Sequence, residues 1–237
     1  SDGARADGQG NYTGFTITQT YIEVNGQAKL QETTNKSWTS DKDGNPATLP
    51  DKSESKNESR VNYGYDAKGI LISATGTGSS NSWDGKIAYT AGETQQIYEI
   101  INGQAVVSES RQTSWSSTVA GDGSIDSPIP LQDGSWSIQD VTTKYSYDKL
   151  GVMTGASGSG RGLSRGEDES FIGSEITQVF DAALIKQTGQ AKVSQSINKS
   201  FTSDQNLNGA YAIPVVNPDG NWTHAAPLMN LDGSWTL

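Results

Sequence analysis

One pattern, written three times at fixed spacing, limits what this chain can fold into. In Gly26-Gln27-Ala28, Gly103-Gln104-Ala105 and Gly189-Gln190-Ala191, each alanine stands ten residues before an aromatic: Trp38, Trp115 and Phe201. Each ring sits in a matching tetrad: Ser37-Trp38-Thr39-Ser40, Ser114-Trp115-Ser116-Ser117 and Ser200-Phe201-Thr202-Ser203. A second motif, A-x-G-x-G, interleaves with the first at 6–10, 74–78 and 156–160. Equal spacing imposes equal geometry, so the reading is a single domain over 1–237, built from three imperfect units of about 80 residues. The units run over roughly 11–78, 87–160 and 170–237.

Each unit reads as about four antiparallel strands. The first ends at an aromatic, as in Ile17-Thr18-Gln19-Thr20-Tyr21, Gln96-Ile97-Tyr98 and Ile176-Thr177-Gln178-Val179-Phe180. Asn25-Gly26 and Asn102-Gly103 then predict type I′ hairpin turns, whose two central residues both need positive φ. The third copy carries four extra residues and places Thr188-Gly189 at that turn. The second strand is long, from Ala28 to Trp38 and its equivalents. One side of it (Lys29, Gln31, Thr33, Asn35, Ser37 and their counterparts) is nearly all polar and is read as facing water. The other side is apolar at its ends and polar in the middle. A polar outward face excludes a lipid-embedded barrel. The expected fold is all-β and antiparallel, with ten to twelve strands in a wrapped or closed, barrel-like sheet.

The next hairpin contains Tyr63-x-Tyr65-Asp66-Ala67-Lys68-Gly69, and its counterpart is Tyr145-x-Tyr147-Asp148-Lys149-Leu150-Gly151. The stretch Y-x-Y-D-x-x-G-x-L at 63–71 resembles the YD repeats of RHS/teneurin-like proteins; 145–153 has Met in place of Leu. The resemblance covers two hairpins and implies β-hairpins winding into an extended sheet that forms a shell. Both ends of the sequence fall at nearly the same phase of the repeat. Three readings follow: closure of the sheet on itself, a piece of a longer array, or polymerisation in which one copy's end completes the next copy's sheet.

Composition narrows the function classes. Few Leu, Ile, Val and Phe with a net charge of -10 would ordinarily signal disorder, but six Trp and nine Tyr in register argue for order. The acidic balance speaks against nucleic acid as a partner, and no apolar run approaches a membrane span. Cysteine is absent, which removes disulfides, zinc-thiolate sites and thiol catalysis. Richness in Ser, Thr, Asn and Gly points to a secreted or cell-surface protein. The one histidine, His224, gives no catalytic triad by spacing.

Three constellations carry candidate chemistry. Asp204-x-Asn206-x-Asn208-Gly209 and Asp41-x-Asp43-Gly44-Asn45 have the alternating oxygens of a calcium loop. Val215 stands where an EF-hand needs its acidic twelfth residue, so an EF-hand is excluded; the bland reading is turn chemistry. Glu32 and Glu109 are repeat equivalents, with Arg111 on the same face. They read as a ligand-binding belt, a sugar-hydrolysing carboxylate pair or, most simply, an ion-pair ladder. Trp136, Trp222 and Trp235 lie in polar turn contexts that suit sugar stacking or the plugging of a β core. The expectation is therefore a non-enzymatic structural or adhesive module. It is stabilised by Ca²⁺ and assembles with copies of itself or with a surface glycan or protein. The alternatives are a carbohydrate-binding module and, behind it, a glycoside hydrolase.

Overall fold

The computed structural model describes residues 2–6, as backbone, and 11–211. Eleven strands form one antiparallel sheet in strict sequence order. They are β1 (Asp2–Ala6), β2 (Tyr12–Val24), β3 (Gln27–Ser40), β4 (Glu54–Tyr65), β5 (Leu71–Trp83), β6 (Tyr89–Ile101), β7 (Gln104–Ser117), β8 (Trp136–Tyr147), β9 (Met153–Arg165), β10 (Phe171–Phe180) and β11 (Val193–Ser203). One short helix, α1 (Ala182–Thr188), joins the last two.

The sheet is open. β1 pairs only with β2, β11 pairs only with β10, and no ladder joins the two among the described residues. The closed or barrel-like expectation is thereby corrected: closure requires a first-to-last ladder, which this meander lacks. The first A-x-G-x-G does not fall where its two counterparts do in the sheet. Ala6 is the last residue of β1 and pairs with Tyr12, where Trp83 pairs with Tyr89 one unit later. The glycines of that copy lie outside the described residues, as does 212–237 with Trp222, Trp235 and His224.

Local chemistry explains the strand ends. Asn25 and Gly26 have φ of 50° and 74°, Asn102 and Gly103 of 51° and 75°, the two positive values of a type I′ turn. Thr188-Gly189 is not such a turn. Asp181 Oδ1 accepts from Leu184 N, α1 follows, and Gly189 caps it at φ 68°, so the extra residues of the third copy became a capped helix. Ile185 of α1 is buried.

Register repeats with a period of four strands. Bulges fall at Thr20/Tyr21, Ile97/Tyr98 and Val179/Phe180, and again at Gly64/Tyr65 and Ser146/Tyr147. Tyr65 and Tyr147 donate their hydroxyls to Leu30 O and Val107 O. Asn25 and Asn102 donate to Ala67 O and Lys149 O, tying each type I′ turn to the following hairpin.

With a single layer, burial is scarce, and among the described residues one row holds half of the buried apolar side chains, Ala91, Trp115, Leu163 and Phe201. Reading straight across from β2 to β11, it runs Gly14, Trp38, Lys56, Asn81, Ala91, Trp115, Ile138, Leu163, Gly173, Phe201. Each ring lies against the strand before its own and is capped by the loop after it. Trp38 Nε1 donates to Gly44 O at 3.0 Å and Trp115 Nε1 to Asp122 O at 3.2 Å. Phe201 is fully buried, and Leu207 of the following loop reaches the same spot. A methyl on Gly173 would stand 2.6 Å from the Phe201 ring, and one on Gly14 would strike the Trp38 indole. The missing side chain is what lets Trp38 and Phe201 come so close to the preceding strand; Trp115 has Ala91 at that place.

Gly173→Ala is therefore expected to lower stability by about 1–3 kcal/mol through overpacking. Gly155→Ala, whose new methyl meets nothing within 4 Å, should change it by less than about 0.5 kcal/mol. Urea midpoints of the two variants check the contrast.

Candidate functional site

The two faces of the sheet differ in charge. Strand alternation and the observed register define four level rows on each face of β2 to β11. The ring-bearing face holds thirteen charged residues in its forty positions. The opposite face begins on β2 with Thr13, Phe15, Ile17 and Gln19 and holds no Asp, Glu, Lys or Arg in its forty. Twenty-eight of those forty are Ser, Thr, Asn or Gln. A tyrosine band with Tyr63, Tyr98 and Tyr145 borders this uncharged face, and burial pushes the Tyr98 and Tyr145 phenols above their ordinary range.

On the ring face, the charges pair across strands. Arg111 grips Asp140 with two nitrogens, Nε at 3.0 Å and Nη2 at 2.7 Å. Lys36 meets Glu58 at 3.0 Å, Arg60 meets Glu32 at 3.7 Å, and Lys144 meets Glu109 at 3.6 Å. Glu32 and Glu109 thus sit in an ion-pair ladder, each with its own cation. They stand four strands apart, about 19 Å at about 4.8 Å per strand, against about 5–9.5 Å for a carboxylate pair that cleaves a glycoside. The structure does not bring them together.

Between the capping loops lie two grooves on this face. The first, about 500 Å³, runs between Trp38 with Pro46 and Trp115 with Gly121. Its floor includes Asn81, whose Nδ2 donates to Val119 O at 2.9 Å while its buried Oδ1 meets no donor. The second, about 370 Å³, is the same feature one period on, lined by Ile125, Ile138, Leu163 and Leu207. The uncharged face carries a polar hollow of about 300 Å³ over β7 to β11. Neither the grooves nor the hollow was anticipated from sequence.

The candidate calcium loops are built on their own hydrogen bonds. Asp204 Oδ1 accepts from Asn206 N and Asn208 N at 2.8 and 3.1 Å, and its Oδ2 accepts from Asn208 Nδ2 at 2.7 Å. Asp41 does the same with Asp43 N, Asn45 N and Asn45 Nδ2. Asp43 turns outward to Lys42. Among the described residues no three or more His, Cys, Asp or Glu side chains cluster about a metal-sized point. Trp136 stands edge-on to Phe171, with ring centres 6.1 Å apart, and Trp83 stacks on Tyr89 at 4.3 Å.

These turn aspartates share an electrostatic signature. Hydrogen bonds from Asn45 to Asp41, from Ser53 to Asp51, from Ser135 to Asp133, from Ser170 to Asp168 and from Asn208 to Asp204 hold each carboxyl below the ordinary aspartate value. Backbone donors from Ala88, Lys86 and Ile87 do the same for Asp84. A folded pKa below the unfolded value, about 3.9, adds stability that is complete above that pH and disappears as pH falls through the folded values. The thermal midpoint should therefore be level from pH 7 to about 5 and drop below about pH 4. A double-mutant cycle on Arg111 and Asp140, both partly exposed, should give a coupling of about 0.2–1 kcal/mol that shrinks in high salt.

Comparison of the chain with protein-family models, with curated proteins and with solved structures finds no match to any of the three.

Proposed function

We propose that this chain is a structural or adhesive β-repeat module, secreted or displayed at a cell surface, that joins copies of itself through its sheet edges. The observation that carries the reading is the open meander: the outer side of β11 has no partner strand among the described residues. An unpaired edge is a template for another strand. The four-strand period supports a three-unit repeat, of which the described residues hold two full units and the first hairpin of a third. The YD-like hairpins fit that architecture, and the Cys-free, Ser- and Thr-rich composition fits an extracellular setting.

Calcium enters this proposal as a stabiliser of the Asp204 and Asp41 loops. The ion would take carboxylate oxygens that now accept backbone and amide hydrogens, so its effect is measured against an already satisfied turn. The carbohydrate-binding reading through Trp136 has less support, because part of that ring is spent on Phe171.

Light scattering after size exclusion is expected to give masses above the 25.2 kDa of one chain that rise with concentration. A chelator should lower the thermal midpoint, and Asp204→Asn together with Asp41→Asn should abolish that response. A constant single-chain mass removes the assembly reading. A midpoint indifferent to chelator removes the calcium component.

A further inference from the structure

We propose that the hollow on the uncharged face, over β7 to β11, is a binding site for a neutral polysaccharide. It lies on the face opposite the tryptophan rings and reaches the edge strand β11 through Asn198 and Ser200. The hollow is lined by serines, by Gln139 and Asn198, and by Gly162 and Ile172. Its ligand class follows from what those groups are and from what is missing.

The missing element is charge. Nearly a fifth of the chain is charged, and the opposite face of the same strands carries thirteen charges, yet this face has none in forty positions. A phosphate, a sulfated glycan or an acidic peptide finds no counter-charge here. A neutral partner meets no buried ion that must be paired. The hydroxyls and carboxamides that remain both donate and accept, as sugar hydroxyls do. Gln139 and Asn198 are exposed. Gly162 is buried, and an added methyl there would come 2.7 Å from Ser174 Oγ, so the Ser174 hydroxyl covers that part of the floor. A sugar ring would meet the hydroxyls of the hollow, with Ile172 beside them for the apolar side of the ring.

A second copy of the chain fits this face less well. Sheet-on-sheet contact would withdraw from water the twenty-eight hydroxyl and amide residues of the whole field, and each would need a partner in the same contact. A polysaccharide chain occupies a strip and leaves the rest wet.

The test is native affinity electrophoresis of the full chain through gels containing neutral polysaccharides (mixed-linkage β-glucan, amylose, galactomannan) or anionic ones (alginate, heparin). The expected result is retardation by at least one neutral polysaccharide and by neither anionic one. The near-isosteric pair Gln139→Glu with Asn198→Asp should weaken that retardation at least tenfold in dissociation constant, with an unchanged thermal midpoint. If the pair fails to fold, Asn198→Asp alone should weaken it about threefold. Trp136→Phe should leave it unchanged, which separates this face from the tryptophan reading. No retardation by any neutral polysaccharide overturns the proposal. So does equal retardation of the charged variant, or loss in Trp136→Phe alone. A dimer by light scattering that Gln139→Glu alone, on β8 and away from the edge strand, dissociates would assign the face to a second copy and overturn it as well. A failure of edge-to-edge assembly has no bearing on these outcomes.

Discussion

Among the described residues a sheet of one layer has nothing on its far side to pack against, and that constraint governs the fold. Cohesion has to come from the backbone ladder, from neighbours across strands and from the few places where a loop folds back to make a local second layer. The ring row is where such a layer forms. Trp38, Trp115 and Phe201 each press on the strand before and are covered by the loop after, so that three small cores stand in line along the sheet. Between them the sheet is held by hydrogen bonds, ion pairs and hydroxyls.

The same constraint explains the polar composition. A residue on a one-layer sheet is shielded by its own neighbours and little else, so long apolar side chains would remain wet. Ser, Thr, Asn and Gln satisfy themselves with water or with one another, as Thr39 and Ser55 do at 3.2 Å. The partition of charge between the faces follows the same requirement. Outside the ring row the charged face is the more exposed of the two and its ions stay hydrated, while the other face buries Val141 and Ile176 and carries no ion in its forty positions.

Much of this was written in the sequence. The spacing of Gly-Gln-Ala to the ring marks the long strands β3 and β7, whereas Gly189-Gln190-Ala191 falls at the end of α1 ahead of β11; Asn25-Gly26 and Asn102-Gly103 set the turns, because few residue pairs accept two positive φ values. Glu32, Glu109 and Arg111 were legible as a ladder by their alternation. Other features depended on information that one strand does not carry. Whether a meander closes depends on the relation of its first and last strands. The helix α1 arose where a turn motif was preceded by Asp181, a capping residue whose effect depends on the extra chain behind it. The uncharged face needed the register of ten strands at once, since Ser114 and Gln139 become neighbours only through a ladder between β7 and β8. The hollow follows from that register and from Gly162, and no local motif announces it.

The strict sequence order of the strands has a mechanical consequence. Nearly every contact between elements joins a strand to the one before or after it. Pulling the two ends apart across the sheet loads one hairpin at a time, so the molecule yields by successive release of short lengths of chain while the remainder keeps its shape. A tether built this way lengthens in steps under load and takes up slack when the load is removed.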